Sequence, residues 1–275
     1  MRALCVALFF LALLGGARAA ECTVEAPCHT AHGQYLVHVP SGWDGKSRLP
    51  AVVFFHGYKS SAAGEMNVPD MVHFSDVTGH LLIVPDGLDT SWSFPNSPNQ
   101  KRDELGFIGE VLDDVDHRFP IDHARLWASG FSVGGSMAWY AACYMGSRFA
   151  AFAPVAGSFW TPMPKDCPSG PANIRHIHGL TDRTFPLEGR GIRNDTFRQG
   201  DTWVGFDLWK KIDACKPEPT RIEKQGTMIC RIWQGCASGR ELQLCLHPGE
   251  HEIDTQWLID DAHWVDGLAK AGAVR

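Results

Sequence analysis

Short apolar runs recur along this chain, each closed by turn residues: Tyr35–Val39, Ala51–Phe55, Leu81–Val84, Leu126–Gly130, Phe152–Val155 and Ile174–Ile177. In several of them the apolar residues are consecutive and do not alternate, which predicts strands covered on both faces. Between the runs the period changes. Across Asp103–Phe119, residues Leu105, Ile108, Val111, Leu112 and Val115 fall three or four apart and form one helical stripe. Pro120 ends it. Gly135–Met145 reads as a second helix, rich in Ala and aromatics. Strand, helix and strand repeated in this way predict a mainly parallel sheet with helices on both faces. Toward the C-terminus, Met228–Trp233 and Glu241–His247 predict two strands around Gly235–Gly239, and Trp257–Lys270 a last helix. No repeat, low-complexity segment or linker interrupts the pattern, so residues 20–275 are expected to form one domain.

The first residues fall outside that pattern. A basic start (Arg2), an apolar run from Ala3 to Leu14 and the small-residue exit Ala17-Arg18-Ala19 predict a secretory signal peptide over residues 1–19. The run is too short for a spanning helix, which needs roughly 20 residues, and stable membrane insertion is not expected. Export changes the reading of the cysteines. Outside the leader there are eight: Cys22, Cys28, Cys143, Cys167, Cys215, Cys230, Cys236 and Cys245. An even count in an exported chain implies disulfides, and the lack of any C-x-x-C pair argues against zinc. Formal charge is −6, or −8 without Arg2 and Arg18, with no basic patch, so nucleic acid is not an expected partner.

One stretch carries chemistry: Gly130-Phe131-Ser132-Val133-Gly134, a G-x-S-x-G pattern lying between the strand Leu126–Ser129 and the helix from Gly135. Strand, tight turn and helix form the nucleophile elbow of an α/β-hydrolase fold, in which the serine hydroxyl projects from the sheet above a helix N-terminus. Such a serine needs a base, and the base needs an acid, in the chain order Ser, Asp or Glu, His. Ile177-His-Gly-Leu-Thr-Asp182 is a strand and turn delivering Asp182 as the acid. Its rivals Asp195, Asp201 and Asp207 follow no strand. After Asp182 the histidines are His247, His251 and His263. His251, in the loop between the last strand and last helix, is the expected base; His247 lies on the strand and His263 inside the helix. His29, His32, His176 and His178 precede the acid and are read as structural or exposed. The expected oxyanion donors are the N–H of Val133 and the N–H of Tyr58 in the loop Phe55-His56-Gly57-Tyr58-Lys59, with Gly57 permitting close approach and His56 bracing the loop.

The segments Val52–Gly57, Leu82–Gly87, Gly106–Ile108, Asp113–Asp114, Gly130–Gly135, Phe149–Gly157 and His178–Asp182, in this order and spacing, resemble the secreted esterases grouped as polyhydroxybutyrate depolymerases and feruloyl or acetylxylan esterases. The resemblance implies Ser132, Asp182 and His251 as catalytic residues and bridges Cys143–Cys167 and Cys215–Cys236; Cys230 with Cys245 would cross-link the terminal hairpin and Cys22 with Cys28 would close a short N-terminal loop, one of the 105 pairings that eight cysteines allow. The chain departs from the family at Pro248–Trp257, where a glycine run, His and Trp-Pro-Gly are usual, and in a long segment, residues 186–201, either a lid or a solvated loop.

The expected activity is that of a secreted or periplasmic serine esterase working through an acyl-enzyme, with no metal or organic cofactor. Trp92 and Trp160, in predicted loops, are candidate substrate-binding residues. By resemblance, Asp182–Gly189 points to short hydroxyalkanoate or similar small or oligomeric esters; feruloyl or acetyl esters on plant polysaccharide are the alternative. A peptidase using the same triad would release peptides, and a non-catalytic binding protein would bind without turnover.

Overall fold

The structure is a computed structural model describing residues 22–272; the expected leader lies outside the described residues. Among the described residues, thirteen strands form two sheets, with six α-helices packed around them. The main sheet contains β1 (Cys28–His29), β2 (Gln34–His38), β3 (Leu49–Phe55), β4 (Leu81–Pro85), β5 (Ile121–Phe131), β6 (Ala151–Val155), β8 (Ile174–Gly179), β11 (Arg221–Gln225), β12 (Met228–Trp233) and β13 (Leu242–His247). Their spatial order is β1-β2-β4-β3-β5-β6-β8-β13-β12-β11. The middle of the sheet, from β4 through β13, is parallel; the two edges are antiparallel.

Consecutive apolar residues in the central strands serve two cores. On β3, Ala51, Val53 and Phe55 join one apolar cluster and Val52 and Phe54 the other. The first contains Phe107, Ile108, Val111 and Leu112 from α3 (Glu104–Arg118), with Met137, Trp139 and Tyr140 from α4 (Val133–Met145). The second contains Met71 and Phe74 from α2 (Pro69–Thr78) and Leu258, Ala262 and Val265 from α6 (Thr255–Lys270), beside α1 (Ala62–Met66). Helices thus cover both faces, as the strand pattern predicts. The expected stripe of α3 is buried, apart from half-exposed Leu105, and Asp103 caps its N-terminus by accepting from Gly106 N–H at 3.1 Å.

Three differences from expectation have local causes. Helix α4 starts at Val133, two residues early, because Ser132 itself makes the turn. β11 is a polar, mostly exposed edge strand (RIEKQ) with no apolar period to reveal it. The segment after Asp182 is ordered: β10 (Phe197–Gln199) pairs on one side with β7 (Trp160–Thr161) and on the other with β9 (Gly191–Ile192) in a small antiparallel sheet, and α5 (Thr202–Ile212) follows, capped by Asp201. Disulfides join Cys22–Cys28, Cys143–Cys167, Cys215–Cys236 and Cys230–Cys245, the last between directly paired residues of β12 and β13.

Candidate active site

Ser132 sits between β5 and α4 at φ 60°, ψ −120°, a backbone conformation unusual for a residue with a side chain. It is held there from both sides: its N–H donates to Val155 O at 3.0 Å and its carbonyl accepts from Ser136 N–H at 2.9 Å. Close packing of the elbow against β3 makes Gly134 obligatory, since a Cβ there would overlap the carbonyl oxygen of Phe55. Gly57 is different. A Cβ built on it has its nearest neighbour, Phe131 Cδ1, at 3.4 Å, and Ser132 Cβ at 4.0 Å, so space alone does not demand glycine.

The loop after β3 faces this turn. Lys59 and Ser60 N–H groups donate to Thr90 O and Gly57 O, while no hydrogen bond among the described residues uses the N–H of Tyr58. Val133 opens α4, where the first N–H groups have no carbonyl one turn back. Beneath the loop, buried His56 accepts from Gly87 N–H through Nε2 at 2.9 Å, which assigns the proton to Nδ1 and makes it the donor to Gly57 O at 2.9 Å. Burial holds this imidazole below its ordinary range and hence neutral. Trp92 belongs to the same brace. It is fully buried, donates from Nε1 to His56 O at 2.9 Å and packs edge-on against Phe55. As a substrate-binding candidate it is therefore corrected to a support behind the loop; sequence shows an indole near the site but not which way it faces.

Asp182 and His251 come from neighbouring parallel strands. Gly179 at the end of β8 pairs with His247 at the end of β13, and the loops beyond are joined by Leu180 N–H to His247 O (2.8 Å) and Thr181 Oγ1 to Gly249 O (2.9 Å). His251 Nδ1 then lies 2.7 Å from Asp182 Oδ2, and Asp182 Oδ1 accepts from Thr184 and Phe185 N–H, each at 2.8 Å. Burial alone would raise the Asp182 carboxyl, but the bonds from His251 and Phe185 outweigh it and hold the group below its usual range. An ionised Asp182 fixes the His251 proton on Nδ1 and leaves Nε2 as the basic nitrogen. The imidazole also packs on Phe131, the residue before Ser132, at 4.7 Å between ring centroids.

The rival residues are occupied elsewhere. Asp201 caps α5, and Asp207 pairs with Lys210 on an exposed helix face. His247 is buried, accepts from Gly249 N–H and packs at a tilt against Trp257; His263 is exposed on α6. Sequence reading gave no role to one feature below Asp182. Trp139 Nε1 donates to His176 Nδ1 (3.2 Å), His176 Nε2 to His178 Nδ1 (2.9 Å), and His178 Nε2 to Phe185 O (2.7 Å), with Asp182 Oδ2 3.5 Å from His178 Nε2. Burial lowers His178 to about 4 and His176 well below its normal value, so both stay neutral and the relay has one direction. Alternation of His176 and His178 on β8 was the only available signal.

Ser132, Val133, Tyr58 and Trp160 line one cleft of about 600 Å³. Trp160 is almost fully buried, with Nε1 donating to Ser136 Oγ at 3.2 Å, so it presents only an edge of the cleft wall. Arg190, Ile192, Arg193 and Gln199, from the small sheet and its entry, line the same cleft. Among the described residues no group of three or more His, Cys, Asp or Glu is placed to hold a metal ion.

A family model described as "Putative esterase" matches residues 32–204. Feruloyl esterase B of Piromyces equi is 25% identical over 230 residues, covering 78% of this chain and 42% of its own length. Feruloyl esterase C of Emericella nidulans is 23% identical over 171 residues, 60% of each chain. The chain thus spans less than two thirds of either relative. Among solved structures, an acetyl xylan esterase from Aspergillus awamori superposes with a TM-score of 0.64 at 15% identity, over 85% of this chain and 93% of that one. That likeness places the chain in the α/β-hydrolase fold.

Proposed function

The chain belongs to the esterase family, and from that premise we propose that it is a serine carboxylic-ester hydrolase in which Ser132, His251 and Asp182 act as nucleophile, base and acid. His251 Nε2 takes the Ser132 proton as Oγ attacks the ester carbonyl, and the oxyanion is met by the N–H groups of Val133 and Tyr58. Collapse of the tetrahedral intermediate expels the alcohol, which takes its proton from His251 Nε2. Water, deprotonated by the same nitrogen, then splits the acyl-enzyme and restores Ser132. The Asp182–His251 hydrogen bond at 2.7 Å, next to a serine on a strained elbow, carries this reading. No cofactor enters these steps. Residues 20–275 act as one catalytic domain, and the four disulfides favour a secreted or periplasmic protein.

Relatives named feruloyl esterases favour feruloyl or similar esters on plant polysaccharide as substrate. The segment Asp182–Gly189 favours, as a second reading, short hydroxyalkanoate esters of the depolymerase kind. Hydrolysis of p-nitrophenyl butyrate by the protein beside Ser132→Ala tests the mechanism: activity is expected to fall by about 10³-fold or more, and equal activity would remove Ser132 from its role. Methyl ferulate against 3-hydroxybutyrate oligomers then separates the two substrates.

A further inference from the structure

The cleft over Ser132 has a net positive lining on a chain of net negative charge. The whole chain carries a formal charge of −6. Yet the charged residues lining this cleft are Lys101, Arg190 and Arg193 against a single carboxylate, Asp89. Lys101 and Asp89 form an ion pair with each other and cancel. Arg190 and Arg193 remain, and no carboxylate among the described residues pairs with either. Neither is loose. Arg190 Nε donates to Thr184 O at 2.9 Å, two residues beyond Asp182, which leaves its terminal NH₂ groups free to donate. Arg193 lies over the Phe197 ring at 5.6 Å from the centroid. Both belong to the hairpin that β10 ties to β7, so they share a frame with Trp160 on the same cleft wall.

Two exposed guanidinium groups without carboxylate partners among the described residues, lining one cleft with the reacting serine, are suited to a carboxylate, which a guanidinium binds through paired N–H donors. We infer that the cleft selects esters carrying a carboxylate in addition to the reacting carbonyl, with Arg190 and Arg193 as the residues that recognise it. The inference rests on the reading of Ser132 as the nucleophile. The carboxylate can belong to the acyl group, as in a half-ester of a dicarboxylic acid. It can also belong to the alcohol, as in an ester of an acidic sugar or of a hydroxy acid. The acyl source is favoured: the alcohol leaves on the side of His251, and the loop carrying His251 contributes no residue to this cleft.

The experiment uses isosteric pairs that differ only in charge. On the acyl side these are p-nitrophenyl hemiglutarate and p-nitrophenyl glutaramate; on the alcohol side, 4-carboxyphenyl butyrate and 4-carbamoylphenyl butyrate. For each pair the ratio of kcat/KM is measured at low and high salt, in the full-length protein and in Arg190→Gln/Arg193→Gln. The ratio is internal to one preparation, so a partly folded variant does not distort it. The acyl pair is expected to favour the carboxylate by roughly three- to tenfold at low salt, with the preference shrinking in 0.5 M salt and in the double variant, as for partly exposed charge pairs. Arg190→Lys/Arg193→Lys should restore part of it. A preference confined to the alcohol pair keeps the carboxylate site and moves its source to the alcohol. Ratios near one for both pairs, or a preference that the double variant leaves intact, overturn the inference while Ser132-dependent hydrolysis of p-nitrophenyl butyrate leaves the esterase reading standing. Hydrolysis that Ser132→Ala does not reduce overturns both.

Discussion

His251 Nδ1 meets Asp182 Oδ2 at 2.7 Å although 69 residues separate them, while the other carboxylate oxygen is saturated by two backbone N–H groups. Asp182 is thus pinned before it binds the imidazole. Asp182→Asn keeps the shape but replaces an acceptor with an amide that favours the wrong tautomer of His251. The expected outcome is a fall in kcat on p-nitrophenyl butyrate of about 10³- to 10⁴-fold with KM little changed. A loss below tenfold would mean that Asp182 does not orient the base.

Two glycines near Ser132 separate stability from activity. Gly134→Ala forces a methyl group into the Phe55 carbonyl, and the protein is expected to lose about 3 kcal/mol or more of stability, or not to fold. Gly57→Ala adds a methyl group where its nearest neighbour is 3.4 Å away, so urea unfolding should be within about 1 kcal/mol of wild type. That methyl group nonetheless stands 4.0 Å from Ser132 Cβ, beside the proposed Tyr58 donor, and kcat/KM should fall about tenfold or more. Undiminished turnover in Gly57→Ala would remove the loop from the oxyanion site.

Asp213 gives a pH-dependent signature of stability. Its side chain is buried, Oδ1 accepts from Ala172 N–H at 3.1 Å, and Oδ2 has no hydrogen-bond partner. Burial raises its pKa from 3.8 to about 7, so the folded protein holds a proton that the unfolded chain has released. The stability this contributes is complete below 3.8 and is lost as pH rises toward 7. Asp213→Asn, neutral at every pH, should be more stable than wild type by on the order of 2 kcal/mol at pH 8 and nearly equal at pH 4. Thermal melts at the two pH values measure this directly; a gap independent of pH would count against the raised pKa.

The Cys143–Cys167 bridge closes a loop spanning 24 positions between α4 and the segment before β8. Replacing both residues with Ala should lower stability by about 3 kcal/mol, read from urea unfolding. Little change would mean that packing around the bridge, and not the cross-link, holds this region.

Much of this arrangement is legible in the linear chain because the signals are local. The elbow is written in five consecutive residues, and the run at 51–55 is apolar on successive positions because its strand feeds two cores. Asp182 and His251 are legible because each follows a strand end, and the pairing of Gly179 with His247 brings those ends together. Three features lie outside that reach. The orientation of Trp92 depends on His56 O, 36 residues away. β9 and β10 are two and three residues long, too short to show a period, and exist by pairing with each other and, for β10, with β7. The histidine relay is invisible until Trp139 and Phe185 are placed around β8.

The order of strands has a consequence in time as well as in space. Ser132 follows β5, Asp182 follows β8 and His251 follows β13, and these lie in the order β5-β6-β8-β13 across the sheet. None of the three groups can meet through local folding; each closure spans a long stretch of chain, and such closures come late. With these three as the proposed triad, catalytic competence is expected to come late in folding. During refolding, the onset of turnover should trail the return of helical signal, so that an ester substrate becomes a clock for completion of the parallel sheet.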